Sequence, residues 1–266
     1  AAMSLNGTLN QTLKTLNIGA MIGEITRVGE LYDPLMRIDG TVYEREGAYV
    51  PGPQISCNSV TVQTPTNRVL VKDLNFELEA GQALIIMGPS GVGKSSLLRV
   101  IAGLWQPKDG SITKPTNVGS GGIFFLPQRP YMPLGNLRTQ VIYPLEDDGE
   151  TTDEHLRQLL ELVELGDLPD RVGGFDAVVP FENVLSLGEQ QRVAMARLYY
   201  HEPAVALLDE ATSALDEEWS RRFYSRLRER NITVVSIGHI QSLVQYHDTL
   251  LYIDHDGWKL SPLERS

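Results

Sequence analysis

The sequence predicts an α/β fold built on a mainly parallel sheet, together with a small antiparallel β subdomain and a helical insertion. Continuous apolar runs bounded by turn residues are typical of strands buried on both faces of such a sheet. Segments with helical spacing, such as Ser95–Ala102 and Glu189–Tyr200, separate these runs, and this alternation indicates an α/β layer fold. The apolar runs are Ala83–Met87, Ile123–Leu126, Val205–Leu208 and Ile232–Ile237.

The chain is predicted to open with an amphipathic helix and a linker. From Leu5 to Leu31, apolar residues recur at a spacing that fits one face of a helix. Residues 32–53 contain several glycines and prolines, which interrupt regular structure. We therefore expect residues 1–53 to form a helix and linker, and residues 54–266 to form the compact domain.

Two further elements are predicted inside the compact domain. Ile55–Val62 and Val69–Leu78 alternate partially around a turn-prone segment, which indicates a short antiparallel pair. Between two core strands, the segment at about 134–188 shows few strand signals, and Asp153–Leu165 has helical spacing. We expect this segment to be a helical subdomain.

Composition excludes some functions. With 266 residues, 42% of them hydrophobic, the chain can bury a sizeable core. Its formal net charge of -11 repels a phosphate backbone, so we expect no nucleic-acid partner. The single cysteine, Cys57, is expected to be a buried apolar residue. No run approaches the roughly 18 apolar residues of a membrane-spanning helix, so the isolated chain is expected to be soluble.

A phosphate-binding loop follows the first apolar run. Residues 88–95 match the pattern G-x-x-x-x-G-K-S between a predicted strand and a predicted helix. Backbone N–H groups and the helix N-terminus can converge there on phosphate oxygens. Lys94 is expected to bridge the β- and γ-phosphates of ATP, and the Ser95 hydroxyl to coordinate Mg²⁺. The predicted nucleotide contacts of the loop are Gly88, Pro89, Ser90, Gly91, Val92, Gly93, Lys94, Ser95 and Ser96.

An acidic pair ends another buried strand. Val205–Leu208 leads directly into Asp209 and Glu210. Asp209 is the predicted metal-side carboxylate, and Glu210 is placed to orient or to deprotonate an attacking water. Two adjacent carboxylates suit hydrolysis better than transfer to a second substrate. The sequence therefore predicts an ATP-hydrolysing P-loop NTPase with a RecA-like core.

The segment Leu185–Arg192, which reads Leu-Ser-Leu-Gly-Glu-Gln-Gln-Arg, resembles the signature motif of ABC ATPases. Ser186 and Gly188 lie at the start of a predicted helix and can form a second anion-binding end. A chain with two phosphate-binding elements is economical if two copies clamp each ATP between them. We expect Ser186, Gly188 and Gln190 to contact the nucleotide.

Other positions continue the resemblance. Gln128 resembles the glutamine of a loop that contacts Mg²⁺ and water and reports to the membrane domain, and Ser213–Asp216 resembles a loop that crosses the dimer interface. His239 resembles the switch histidine that contacts the γ-phosphate. The resemblance implies a catalytic set and a metal set. These are Lys94, Gln128, Glu210 and His239 for catalysis, and Ser95, Gln128 and Asp209 for Mg²⁺.

Three segments have residue sequences similar to those of the D-subfamily half-transporters, namely Leu126–Met132, the signature segment and Ile237–His239. This subfamily includes peroxisomal fatty-acyl and lysosomal cobalamin transporters. The resemblance implies a membrane domain ahead of the ATPase domain on one polypeptide, with the ATPase domain facing the cytosol. It also implies a second ATPase domain as partner and a lipidic or amphipathic cargo. Leu5–Leu31 would then form the cytosolic end of the last helix of that membrane domain. The alternative is that Leu5–Leu31 is an independent docking segment.

The sequence departs from the family pattern at a few positions. Thr64 stands where most exporters have the aromatic ring that stacks on adenine; Tyr131 is a substitute, although packing is the commoner role of such a ring. Leu187 and Glu189 stand where many relatives have Gly and Gln. Two alternatives stay open, namely a non-transport ABC ATPase of translation or DNA repair and a regulatory module that does not hydrolyse ATP.

Overall fold

The computed structural model describes residues 47–64, 66–117, 120–238 and 241–263. These residues belong to a compact unit, Glu46–Ser266. The predicted helix Leu5–Leu31 lies outside the described residues. Among the helices that are described, none combines the length and apolar character that crossing a membrane requires.

The described chain opens with four consecutive strands, and helices separate several of the later ones. The strands are β1 (Tyr49–Pro51), β2 (Ile55–Gln63), β3 (Val69–Leu78), β4 (Ala83–Met87), β5 (Asp109–Lys114), β6 (Ile123–Leu126), β7 (Val205–Asp209), β8 (Thr233–Ile237), β9 (Thr249–Ile253) and β10 (Trp258–Pro262). The helices are α1 (Lys94–Ala102), α2 (Leu137–Ile142), α3 (Asp153–Leu162), α4 (Leu168–Val172), α5 (Phe181–Val184), α6 (Leu187–His201) and α7 (Glu217–Glu229), with a 3₁₀ helix at Gln241–Tyr246.

The predicted parallel sheet is confirmed. Its strand order is β10-β9-β4-β8-β7-β6, and every neighbouring pair is parallel except β10 with β9. Successive side chains of β7 enter different apolar clusters: Leu207 packs with α1, and Leu208 packs with α6 and α7. The alternation of a strand thus places α1 on one face of the sheet and α6 on the other.

The second sheet is the predicted antiparallel subdomain with two additional strands, β1 and β5. Its order is β1-β5-β2-β3, and β2 runs antiparallel to both β3 and β5. Cys57 on β2 is buried, as predicted. Tyr49–Pro51 falls in the predicted linker, but it forms a strand that pairs in parallel with Ile112–Lys114. Pro51 is read as a breaker in the sequence, yet proline is compatible with an edge strand, where one row of donors is unpaired.

The predicted helical insertion is present between β6 and β7 and contains α2 to α5. Helix α3 begins after Thr152, whose hydroxyl accepts a hydrogen bond from the His155 N–H at 3.2 Å. Its buried leucines pack against the cluster that includes Phe124 and Leu208 of the parallel sheet. This packing attaches the insertion to the face of the sheet that also carries α6.

Candidate nucleotide site

The glycine-rich loop has a backbone that requires glycine at two positions. Gly88 has a φ of 143°, and a Cβ added to it would lie 1.9 Å from the carbonyl oxygen of Ile253. Gly93, with a φ of 108°, precedes the first turn of α1. L-residues with a side chain rarely adopt these angles. The loop therefore turns from the end of β4 into the N-terminus of α1, as the motif predicts.

Lys94 is held inside this loop. Its side chain is 6% exposed, and its Nζ donates hydrogen bonds to the carbonyl oxygens of Gly88 at 2.9 Å and Pro89 at 2.8 Å. Burial lowers the pKa of Lys94, while the charges of Glu210 and Asp209 act in the opposite direction. The ammonium group thus lies among the backbone groups that the motif assigns to phosphate binding, with the acidic pair nearby.

Ser95 and Asp209 meet across the end of the parallel sheet. The Ser95 Oγ donates a hydrogen bond to Asp209 Oδ1 at 3.0 Å, and Asp209 is 7% exposed. Burial raises the pKa of Asp209, and the hydrogen bond from Ser95 and the charge of Arg99 oppose that rise. A hydroxyl beside a carboxylate is a set of hard oxygen donors that fits Mg²⁺.

The described residues contain no group of three or more His, Cys, Asp and Glu side chains that could hold a metal ion by themselves. Nucleotide sites in proteins commonly bind Mg²⁺. Such an ion is held by one or two protein carboxylates, by phosphate oxygens and by water.

Gln128 and Glu210 also come together. They follow β6 and β7, which are parallel neighbours, so both residues lie at the same carboxyl-terminal edge of the sheet. The Gln128 Nε2 donates a hydrogen bond to Glu210 Oε2 at 2.8 Å. Glu210 has a φ of 50°, a left-handed conformation that is uncommon for residues other than glycine. Backbone strain of this kind persists where the surrounding structure holds it and is concentrated at functional sites.

His239 lies outside the described residues, so its contact with the γ-phosphate stays a prediction. Gly238, the residue before it, follows β8 and donates its N–H to the carbonyl oxygen of Ile86 on β4 at 3.4 Å. Strand β8 lies between β4 and β7 in the sheet. Gly238 therefore follows a strand that lies between the strands carrying the loop and the acidic pair.

The signature segment begins helix α6 with an internal cap. Ser186 precedes the helix, and its Oγ accepts a hydrogen bond from the Glu189 N–H at 3.3 Å. Glu189 Oε2 accepts from the Ser186 N–H and hydroxyl, each at 2.9 Å, and Arg171 lies 2.7 Å from Glu189 Oε1. Burial opposes ionisation of Glu189, but these hydrogen bonds and the Arg171 charge outweigh it and lower its pKa. The pattern S-x-x-E at Ser186–Glu189 is the sequence signal for this capping box.

Gly188 and Gln190 differ in their surroundings. A Cβ added to Gly188 would lie 3.3 Å from the carbonyl oxygen of Ala214, so the position nearly accommodates a side chain. Gln190 is 5% exposed, and its Nε2 donates to the carbonyl oxygens of Glu182 at 3.0 Å and Leu185 at 2.9 Å. Its amide thus bonds inside the helical insertion and is not brought to the exposed helix start with Ser186.

Thr64, which replaces the expected aromatic ring, and Tyr131, the suggested substitute for it, both have other contacts. Thr64 Oγ1 accepts a hydrogen bond from the Arg68 N–H at 3.1 Å and lies 2.8 Å from Thr66 Oγ1. Tyr131 meets the ring of Tyr143 edge to face, with 5.6 Å between the ring centroids. The Tyr131 ring therefore packs against another aromatic ring, which is the commoner role that the sequence allows.

A phosphate loop that leaves a central parallel strand, with a carboxylate delivered by a nearby strand to its lysine and serine, defines a P-loop NTPase. The family model described as ABC transporter matches residues 71–213. The chain belongs to the ABC transporter family, and the matched region is the ATP-binding domain of that family, which is an ATPase.

Similar proteins in subfamily D confirm the D-subfamily resemblance. The chain is 40% identical over 263 residues to ATP-binding cassette sub-family D member 3 of Mus musculus, covering 89% of this chain and 40% of that protein. It is 43% identical over 209 residues to a lysosomal cobalamin transporter of Homo sapiens, covering 76% of this chain and 34% of that protein. A solved structure of a bacterial Atm1-family ABC exporter with ATP bound matches with a TM-score of 0.69 and 26% identity, covering 97% of this chain and 48% of that one.

An uncharacterized ABC transporter ATP-binding protein of Synechocystis sp. is 41% identical over 257 residues, which cover 93% of this chain and 38% of that protein. The chain thus spans about two fifths of the length of the mouse and Synechocystis relatives.

Proposed function

We propose that this chain is the ATPase domain of a membrane transporter and that it works by pairing with a second ATPase domain around ATP. The observation that carries the proposal is the placement of its two phosphate-binding helix ends. Helix α1, which follows the Lys94 loop, packs on one face of the parallel sheet, whereas α6, which follows Ser186, packs on the other. Two such ends are better placed to bind two nucleotides, each shared with a second copy, than to close on one.

The proposed hydrolysis uses residues at the carboxyl edge of the sheet. Lys94 and the loop N–H groups bind the β- and γ-phosphates, and Ser95, Asp209 and Gln128 would hold Mg²⁺. When bound, Mg²⁺ would neutralise charge on the phosphate oxygens. Glu210, which accepts a hydrogen bond from Gln128 at 2.8 Å, orients the attacking water and takes its proton.

The water oxygen bonds to the γ-phosphorus while the bond from that phosphorus to the β–γ bridging oxygen breaks, which releases ADP and phosphate. His239 stabilises the transferring group, and Ser186 and Gly188 of the second copy close over it. Positioning and charge stabilisation supply most of the acceleration in reactions of this kind.

An exposed apolar surface supports a membrane-domain partner. Leu134 is 96% exposed and Val178 is 74% exposed, and a β-bridge between Asn136 and Val178 brings their segments together. Arg197 of α6 donates a hydrogen bond to the carbonyl oxygen of Tyr131 at 2.7 Å, so this surface is tied to the helix that begins at the signature segment. We assign the surface to a membrane domain on the same polypeptide.

The remaining parts of the proposal rest on the relatives. Residues 1–53 would connect the membrane domain to the ATPase domain, 54–266, on the cytosolic side, and the helical subdomain at about 134–188 would carry the exposed surface. One relative is named a lysosomal cobalamin transporter, and on that resemblance we propose a lipidic or amphipathic cargo. The net charge of -11 supports a function without nucleic acid.

The test is Mg²⁺-dependent ATPase activity measured against protein concentration, for wild type, Glu210→Gln and Glu77→Gln. Glu77 is an exposed β3 residue, and its variant controls for loss of one negative charge. Wild type and Glu77→Gln should show specific activity that rises with concentration. Glu210→Gln should bind ATP, lose at least about 100-fold in turnover and accumulate as a dimer.

Either of two results would overturn part of the proposal. Specific activity independent of concentration down to the lowest measurable level would mean that a monomer is self-sufficient. Near-normal turnover of Glu210→Gln would remove Glu210 from its role toward the attacking water.

A further inference from the structure

We propose that Gln191 is a positioning residue for ATP hydrolysis, because its side-chain amide fixes the loop of Gln128 and the loop of Ser213 to helix α6. The inference rests on the proposed roles of Gln128 and Glu210 and adds a residue that neither the nucleotide contacts nor the metal set contains.

The amide of Gln191 makes its contacts with two separate loops. Its Nε2 donates to the carbonyl oxygen of Gln128 at 3.2 Å and to Ser213 Oγ at 3.4 Å, and its Oε1 accepts from the Ala214 N–H at 3.2 Å. The side chain is 1% exposed. Both amide hydrogens have a partner, and the oxygen has one as well. A buried side chain bonded in this way has one orientation.

These hydrogen bonds close a ring around the catalytic carboxylate. Gln128 Nε2 donates to Glu210 Oε2 at 2.8 Å, and the Ser213 N–H donates to the Glu210 carbonyl oxygen at 3.0 Å. Gln191 then connects Ser213 back to Gln128. The side chain and the backbone of Glu210 are therefore both linked, through one residue each, to the same buried amide.

Packing alone does not explain a glutamine at this position. A buried amide loses its hydration, and an apolar side chain of the same volume would avoid that loss. The adjacent Gln190 is buried too, but it bonds to carbonyl oxygens of Glu182 and Leu185, which precede its own helix. Neighbouring glutamines thus have different tasks: Gln190 fixes the start of α6, and Gln191 fixes the loops around Glu210.

Because Gln191 lies on α6, it connects the signature segment at the start of that helix to the loops around Glu210. Helix α6 begins at Leu187, beside the signature residues that are proposed to contact the ATP of the second copy. A displacement of that helix would move the Gln191 amide against Gln128 and Ser213. The geometry of Glu210 at one site would then depend on how the signature segment of the same chain engages the other site.

The test is the steady-state kinetics of Gln191→Met, which keeps the side-chain volume and removes all three hydrogen bonds. Displacement of the base or of the attacking water lowers the rate of hydrolysis and has little effect on nucleotide binding. We expect kcat to fall at least about tenfold and the KM for ATP to stay within about twofold of wild type.

The matched control is Gln140→Met. Gln140 is fully buried and donates to the carbonyl oxygen of Pro133 at 2.7 Å, outside the ring around Glu210. It should keep its kcat, and because it loses one hydrogen bond rather than three, its thermal stability should fall no further than that of Gln191→Met. A Gln191→Met kcat within twofold of wild type would overturn the inference, as would equal losses of kcat in the two variants.

A second variant tests the ring if Gln191→Met does not fold. Ser213→Ala removes one partner of the amide without changing the core, and we expect kcat to fall about two- to threefold. Unchanged kcat in Ser213→Ala would count against the ring. The Glu210→Gln measurement separates the two proposals, because an active Glu210→Gln overturns the role of Glu210, whereas an active Gln191→Met beside an inactive Glu210→Gln overturns only this inference.

Discussion

Replacing Gly188 with alanine should separate folding from catalysis. Gly188 is the second residue of α6, and its φ lies outside the left-handed region. An added Cβ would lie 3.3 Å from the Ala214 carbonyl oxygen and 3.6 Å from Leu215 Cδ2. The first distance requires a shift of a few tenths of an ångström, and the second is ordinary contact. The fold itself therefore gives little reason for glycine at this position.

The expected change in the free energy of unfolding follows from these contacts. Gly→Ala at a compatible helical position stabilises a protein by about 0.4–1 kcal/mol. The close approach to Ala214 offsets part of that gain, so the net change should stay within about 1 kcal/mol of zero. If Gly188 instead faces the phosphate of a second copy, the methyl group will obstruct closure, and turnover should fall at least about tenfold.

The assay pairs thermal unfolding without nucleotide with Mg²⁺-dependent turnover, and Gly88→Ala serves as the contrast. At Gly88 a Cβ would lie 1.9 Å from a backbone carbonyl oxygen, and φ is 143°, so that variant should lose both stability and activity. Full ATPase activity in a stably folded Gly188→Ala variant would refute the assignment of Gly188 to the second copy's nucleotide.

Two further variants test the metal site and the core. Asp209→Asn keeps an oxygen that can accept from Ser95 but removes the charge, so half-maximal activity should require at least about tenfold more Mg²⁺, as titration will show. Burial lowers the pKa of His247 to about 4 and outweighs the hydrogen bond to the Leu243 carbonyl oxygen, which acts in the opposite direction. Below its usual pKa near 6.5 the unfolded chain binds a proton that the folded chain does not, so unfolding free energy should drop by up to about 3 kcal/mol toward pH 4. Denaturant unfolding of His247→Gln should lack this part of the loss, and an unchanged pH dependence would contradict it.

Periodicity and motif context predict the sheet that positions the site. The four apolar runs are correctly predicted as parallel strands, because a strand buried on both faces of a sheet is apolar at every position. The strand Tyr49–Pro51 escapes prediction because its pairing with Ile112–Lys114 is long-range, and a local pattern containing Pro51 indicates a break. Sequence spacing does not reveal which distant strand covers an edge.

The site is predictable where one element carries the chemistry and less so where elements meet. Lys94 lies in its loop because the loop glycines determine the backbone, and that information is local. The separate tasks of Gln190 and Gln191 depend on which loops pack beside α6, and adjacent identical residues carry no signal for that difference. The bond from Glu189 to Ser186 is readable from the pattern, whereas the ion pair with Arg171 depends on tertiary packing.

The most direct test of two copies sharing each ATP is complementation between two inactive variants, Lys94→Ala and Gly188→Ala. In an equal mixture, half of the randomly formed dimers are mixed, and each mixed dimer contains one site built from an intact loop and an intact signature segment. The mixture should therefore recover about a quarter of wild-type ATPase activity. A mixture no more active than the average of the two variants measured separately would contradict the shared site.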